Sequence, residues 1–529
     1  MSRRDGANDP VNQHNAGAWL VDRRVESGDG ERVAYRCEGR ATTYAELQQE
    51  LWRVQHAMDV LEVRRGERVA LVLDDSVTFP AWFLGAMRSG VVPVPLSTML
   101  TGEDLAGIVT DAEAPYLIIS AAYGERLATI VARSPYLRHV VFIGPSTVAF
   151  APPVNAHNWD AFEDRTEARL AVTREDSPGF WLYSSGTTGM PKGVMHRHGA
   201  LRATAETYAK SVLEIGPDDR CLSVPKLFFA FGLGNSLTFP LSVGATAILE
   251  PRRPTPAGLL ELIRREQPTL FFSSPGFVAA LLDSDVTPDA LASIRATITA
   301  GEALPADLQR RFQARFGHPI LDGIGTTEAL HIFLSNTRGF QRPGTSGQPV
   351  AGYRVRLVDT GKQEVTEPEV PGYLQVCGPS LATGYWCRDD ATRAAFQGEW
   401  LSTGDVYTRS EDDYWTFLGR NNDMIKAGGI WVSPAEVEAV LIEHPDILEC
   451  AVVGARDADE LETTVAFLVP RSGREIDPAS IEIHCRARMA AFKRPRRIIV
   501  VKELPKTATG KVQRFALRDQ LHSSPSDCP

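Results

Sequence analysis

The chain has 529 residues, 43% hydrophobic and 23% charged, with a net charge of −10. That length is too great for one core, so at least two domains are expected from an ordinary globular mixture. The acidic balance disfavours nucleic acid as a partner, no apolar run approaches the ~20 residues of a membrane span, and nothing behind Met1-Ser2-Arg3-Arg4 reads as a secretory signal. Seven cysteines, at 37, 221, 377, 387, 450, 485 and 528, are scattered and form no CxxC pair. They read as reduced thiols in a cytoplasmic protein, not as disulfides or a zinc site.

Residues 1–30 are polar and rich in Gly, Asp and Asn, which predicts a loose N-terminal arm. Short apolar runs at 68–73, 90–95, 115–120 and 139–143 predict buried strands, and 79–89 suits a helix. Continuous apolar strands between amphipathic helices predict an α/β fold, with mostly parallel sheets covered by helices.

The densest chemistry lies at Tyr183-Ser184-Ser185-Gly186-Thr187-Thr188-Gly189-Met190-Pro191-Lys192-Gly193. Glycines let the backbone approach a ligand, hydroxyls and N–H groups can donate to phosphate oxygens, and Lys192 adds a charge. Residues 180–183 predict a strand and the run after His198 a helix, so the loop is expected between strand and helix, where α/β proteins hold phosphates. Pro191 separates Gly189 from Lys192, so this is not a Walker A loop. A short Gly/Ser/Thr cluster is commonly a solvated loop. This full string resembles the phosphate loop of the adenylate-forming superfamily of acyl-CoA synthetases, adenylation domains and luciferases.

Further stretches carry the same resemblance in order. His196 and His198 have no third ligand near them and read as a polar helix start, not a metal site. Pro225-Lys226-Leu227-Phe228-Phe229-Ala230-Phe231-Gly232-Leu233-Gly234 is either core or an aromatic slot for a flat ligand, with Gly232 and Gly234 making room. Its wording is most similar to benzoate-CoA ligases and their aryl relatives, with Phe229 where many members have His. The resemblance implies an acyl pocket from Phe228, Phe229, Ala230 and Phe231, with Gly325 and His331, although His331 reads equally as core. It places Gly301, Glu302 and Ala303 against adenine, with Asp322, Gly323 and Ile324 also at the nucleotide. Ile324 stands where many relatives have a Tyr on the adenine. Thr327 and Glu328 are implied at the phosphates, with Glu328 on Mg2+, and Asp405 and Arg420 at the ribose. Ser184, Ser185, Gly186, Thr187, Thr188, Gly189 and Lys192 complete the ATP site, Thr188 with a catalytic part.

The resemblance implies a large N-terminal domain, 1–420, and a small mobile C-terminal α+β domain, 421–529. Asn422 occupies the hinge place, where relatives usually have Asp or Lys. Ser433 and Pro434 should open a helix as N-cap and N1. Gly428 and Gly429 match the glycines of the CoA tunnel. Lys511, in Pro505-Lys506-Thr507-Ala508-Thr509-Gly510-Lys511, matches the catalytic lysine, and 523–529 reads as a frayed tail.

The implied activity is an ATP-dependent aryl-CoA ligase. It would take benzoate, a hydroxybenzoate or 2-aminobenzoate through aryl-AMP to the CoA thioester, with ATP, Mg2+ and coenzyme A, as a monomer or homodimer. The alternative is a stand-alone adenylation enzyme that loads a carrier protein. A non-catalytic nucleotide binder would be favoured by loss of Lys511, Glu328 or Asp405, and all three are present.

Overall fold

The computed structural model describes residues 13–145, 150, 153–184, 191–427, 430–456, 462–506 and 512–523. Two helix-covered sheets dominate. The first is wholly parallel, in the order Val92–Pro95, Arg68–Val72, Tyr116–Ser120, His139–Ile143 and Asn155–Asn158. Strand Tyr116–Ser120 is buried at every residue, as a strand covered on both faces should be. Helix Thr78–Arg88 buries all but its first residue. These elements lie where the apolar runs predict them.

The second sheet has nine strands. Its centre, from Ile320–Gly325 through Ala296–Thr299, Leu270–Ser273, Arg220–Ser223 and Thr246–Leu249 to Val33–Cys37, is parallel. Both edges are antiparallel, with Ile332–Ser335 and Gln348–Pro349 at one side and Arg40–Thr43 at the other. An antiparallel sheet follows, built on Arg354–Val358, Gly372–Cys377, Trp400–Arg409 and Trp415–Arg420.

The smaller C-terminal domain pairs Ile425–Ala427 with Ile430–Val432, then Ile447–Arg456 with Glu462–Pro470 and Arg497–Val500. Helices Pro434–Leu441, Pro478–Arg488 and Arg514–Ser523 accompany them. Ser433 caps the first, its hydroxyl accepting from Glu436 N at 3.1 Å, with Pro434 at N1.

The N-terminal arm differs from expectation. Ala16, Leu20 and Val21 are fully buried, and Asn15 Nδ2 donates to Met87 O at 3.1 Å. The apolar cluster Trp19-Leu20-Val21 outweighs the polar composition around it, and burying it fixes residues 13–29 against the body. The expected tail lies outside the described residues from 524 onward. Cys37, Cys221, Cys377, Cys387, Cys450 and Cys485 are all free thiols. Among the described residues no helix is long and apolar enough to cross a membrane.

Candidate functional site

The loop singled out in the sequence joins two antiparallel strands, Pro178–Ser184 and Lys192–Arg197. The expected strand-to-helix placement is therefore corrected: a hairpin strand intervenes, and the helix Gly199–Thr204 starts only after it. The alternation of buried Val194 and His196 with part-exposed Met195 and Arg197 marks that strand. Ser184 and Lys192 face each other across the hairpin. Ser185, Gly186, Thr187, Thr188 and Gly189 lie outside the described residues.

The hairpin has a third strand, Gly384–Tyr385, paired with Met195 and Val194. Trp386 N donates to Gly193 O at 2.8 Å, and its indole lies 4.7 Å from that of Trp181. Asp111 gathers the base of the hairpin. It accepts from Tyr183 Oη at 2.8 Å and Arg388 Nη2 at 2.6 Å, and its carbonyl accepts from Trp386 Nε1 at 2.9 Å.

Two contacts bring the hairpin to the Thr326–Glu328 turn. His196 Nε2 lies 2.9 Å from Thr327 O, and Tyr385 Oη donates to Glu328 Oε1 at 2.8 Å. The Lys192 ammonium sits 5.2 Å from the centroid of the same Tyr385 ring. Burial, then the neighbouring Glu328 charge, pushes the Tyr385 phenol up, so it stays a donor. The polar helix start expected at His196 and His198 is also corrected. Both are buried, with pKa values pushed down to about 4 and about 3 by desolvation. Neutral His198 accepts from Ala16 N at 3.1 Å.

Gly301, Glu302 and Ala303 occupy the bend between strand Ala296–Thr299 and helix Ala306–Phe316, with Gly301 at φ +98° and open space where a Cβ would stand. Beside them, Asp322 Oδ1 accepts from Thr299 Oγ1 at 2.7 Å. Burial pushes the Asp322 carboxyl up to about 8, against that hydrogen bond and two from backbone N–H groups. Gly323 and Gly325 serve the sheet itself: a Cβ would lie 2.6 Å from Leu334 O and 2.4 Å from His331 O. Ile324 between them packs against the core.

Asp405 and Arg420 pair with each other, Arg420 Nε lying 3.0 Å from Asp405 Oδ1 and Nη1 donating to Thr403 O at 2.9 Å. A buried polar path connects their sheet to Asp322. Asn336 Nδ2 donates to Asp322 O at 3.1 Å and Thr345 O at 2.8 Å, and the next residue, Ser346, meets Tyr407 Oη at 3.0 Å.

In the aromatic segment, Phe228 is buried while Phe229, Ala230 and Phe231 are half-buried. Phe228 and Phe229 meet edge to face at 4.6 Å. His331 packs 5.3 Å from Phe231, 4.5 Å from Phe239 and 5.0 Å from Tyr208, and its Nε2 lies 3.2 Å from Asn235 Oδ1. Burial pushes His331 down to about 3. The two glycines do not open a ligand slot. A Cβ on Gly232 would lie 2.0 Å from Lys226 O, and one on Gly234 would lie 2.4 Å from His331 Cδ2. They admit the chain's own backbone and the His331 ring.

Residues outside the sequence reading hold this segment. Asp75 accepts from Leu227 N at 3.1 Å, and Lys226 Nζ lies 3.9 Å from Asp75 Oδ2 and 2.9 Å from Arg252 O. Tyr385 and Asp111 are likewise additions; only the short Gly384-Tyr385-Trp386 string could have signalled the first. Asn422 lies in the turn Asn421–Asp423 without a left-handed φ. Asp423 in that turn accepts from Arg518 Nη1 at 2.9 Å. Gly428, Gly429 and Lys511 lie outside the described residues.

The AMP-binding enzyme family matches residues 21–386, and the AMP-binding enzyme C-terminal domain matches 436–511. The chain is 43% identical to a benzoate–CoA ligase of Thauera aromatica over 511 residues, covering 96% of each. It is 40% identical to a 4-hydroxybenzoate–CoA/benzoate–CoA ligase of Rhodopseudomonas palustris, covering 96% of this chain and 95% of the other. An anthranilate CoA ligase in complex with anthranoyl-AMP superposes with a TM-score of 0.92 at 37% identity, covering 96% of this chain and 98% of that one. The chain therefore belongs to the adenylate-forming, AMP-binding enzyme family of acid–thiol ligases, beside the benzoate–CoA and related aryl–CoA ligases.

Proposed function

We propose that this enzyme activates a benzoate-type acid with ATP to an aryl-AMP and transfers the aryl group to coenzyme A. The observation that carries the reading is the junction of two predicted motifs: the Lys192 hairpin meets the Thr327–Glu328 turn through His196 and Tyr385. The activities of the benzoate–CoA and 4-hydroxybenzoate–CoA/benzoate–CoA ligases it resembles support the acid and the CoA.

In the first half-reaction a carboxylate oxygen attacks the α-phosphorus, the α–β bridge bond breaks and pyrophosphate leaves. This needs in-line positioning and neutralised phosphate charge, with no covalent enzyme intermediate. Lys192 and the 184–189 hydroxyls and amides contact the triphosphate, Asp405 accepts from the ribose hydroxyls with Arg420 beside it, and 301–303 border adenine. Glu328 is the carboxylate that fits Mg2+. No cluster of three or more metal-ligating side chains occurs among the described residues, and Mg2+ commonly takes one carboxylate, water and substrate phosphates. When bound, the ion neutralises developing phosphate charge. Lys511 adds a further positive charge at the transferring phosphorus.

The aryl ring occupies the space beside Phe229, Ala230 and Phe231, walled by Gly325 and His331. A neutral His331 held on Asn235 gives that wall no net charge. In the second half-reaction the CoA sulfur attacks the acyl carbonyl, the acyl–phosphate C–O bond breaks, and AMP and a proton leave. Gly428 and Gly429 line the thiol's approach, and residues 421–529 reorient about Asn422 between the two steps.

ATP–pyrophosphate exchange with benzoate, 4-hydroxybenzoate, 2-aminobenzoate, cinnamate and acetate, with and without CoA, tests the reading. Exchange and thioester formation with a benzoate-type acid are expected. Exchange without thioester would replace CoA by a carrier protein, and no exchange with any acid would overturn the activity.

A further inference from the structure

Lys192 and Glu328 carry opposite charges and share one neighbour. The ammonium of Lys192 rests 5.2 Å from the centroid of the Tyr385 ring, and the hydroxyl of the same residue donates to Glu328 Oε1 at 2.8 Å. Among the described residues neither group has an ion-pair partner. An ammonium and a carboxylate on half-buried side chains attract at short range and would pair directly if nothing stood between them. We infer that Tyr385 is a positioning residue that holds Lys192 and Glu328 apart, keeping both charges available to a nucleoside triphosphate and its divalent cation. This rests on the proposed function of the site.

The side chain suits that task at both ends. A cation–π contact steadies the ammonium without cancelling its charge. One phenolic hydrogen bond orients the carboxylate and leaves its second oxygen for a cation. The backbone of Tyr385 is pinned independently of the side chain. Tyr385 pairs with Val194, Tyr385 N donates to Thr392 Oγ1 at 3.0 Å, and Trp386 N donates to Gly193 O at 2.8 Å. Truncating the ring therefore opens a direct Lys192–Glu328 route while leaving the strand in place.

The test is calorimetric binding of ATP in EDTA, alongside Mg2+ titration of pyrophosphate exchange. Tyr385→Leu should weaken metal-free ATP binding about tenfold or more, as Lys192 turns to Glu328. Adding Glu328→Gln to that variant should restore binding, because the competing carboxylate is gone. Tyr385→Phe keeps the ring and should show the smaller binding loss, while raising the Mg2+ needed for half-maximal exchange several-fold. Wild-type-like ATP binding by Tyr385→Leu, or no restoration by Glu328→Gln, would overturn the inference, as would a uniform loss that tracks a lowered melting temperature. The metal-free binding arm reads Tyr385 even if the wild-type enzyme exchanges no acid, so failure of the activity and failure of the inference remain distinguishable.

Discussion

His196 Nε2 stands 2.9 Å from the carbonyl oxygen of Thr327, across 131 residues of chain. Burial keeps the imidazole neutral, with its pKa pushed down to about 4, so Nε2 carries the proton and donates. The ring also stacks on Phe180 at 5.0 Å. His196→Phe would keep the stack and leave the Thr327 carbonyl only its bond from Leu330 N at 3.1 Å. It is expected to cost about 0.5–1.5 kcal/mol of unfolding free energy and to lower pyrophosphate exchange further than the loss of folded protein explains. Denaturant melts and exchange rates on the same sample check this, and full exchange with that hydrogen bond lost would remove His196 from the positioning of the Thr327 turn.

The order of the motifs was legible because each is a local string, and the parallel sheets were legible because strands such as Tyr116–Ser120 are apolar throughout. What joins the motifs was not. The pairing of Gly384–Tyr385 with Met195 and Val194 is a long-range register, and two residues of strand leave almost no periodicity to read. Gly232 and Gly234 were visible as glycines, but only the fold shows that Lys226 and His331 fill the space they leave. His196 looked polar because burial is a tertiary property that its residue type does not report.

Acid should destabilise the enzyme below pH 6.5. Burial lowers His196 and His318 to about 4, and His198 and His331 to about 3. Each is neutral when folded and protonated when unfolded, so stability present above pH 6.5 is lost as pH falls toward those values. Asp322 and Asp75 oppose this. Raised to about 8 and about 6 by burial, they hold protons that the unfolded chain releases above its ordinary carboxylate pKa. Near pH 5, four protons gained by these histidines less two released by the aspartates leave a net uptake of about two on unfolding, to which His14, His139, His157 and His444, also lowered by burial, add. Unfolding calorimetry in buffers of different ionisation enthalpy measures that number, and a net release would contradict it.

The two glycines of the aromatic segment should differ in severity. Gly234→Ala places a methyl 2.4 Å from His331 Cδ2, and a side chain can give way. The ring would leave Asn235, at about 1–3 kcal/mol, and KM for the acid should rise more than KM for ATP. Gly232→Ala meets Lys226 O at 2.0 Å, and a backbone held by Leu227 N on Asp75 cannot retreat. That variant should be recovered poorly folded. Comparable yields and melting temperatures for the two would show that the segment is softer than its contacts indicate.

The described residues on either side of Lys511 are tied to one another. Lys506 bridges Val512, Gln513 N donates to Pro505 O at 2.8 Å, and Lys506 Nζ reaches Glu449 Oε1 at 2.7 Å. Arg514 Nη2 lies 2.7 and 2.8 Å from the two oxygens of Glu438, which also accepts from Val452 N at 2.7 Å. Under the proposed function, the C-terminal domain delivers Lys511 to the α-phosphate in one half-reaction and withdraws it in the other. Lys511→Ala should then depress exchange by about 10²–10³, the scale for removing one transition-state charge contact, while thioester formation from supplied aryl-AMP changes little. Arg514→Met removes the anchor and leaves Lys511 its charge. It should cost about 2–3 kcal/mol of stability through the part-buried carboxylate it abandons, and should lower exchange in the same direction by a smaller factor. Equal losses in both half-reactions for Lys511→Ala would mean that the residue shapes the domain and not the first chemical step.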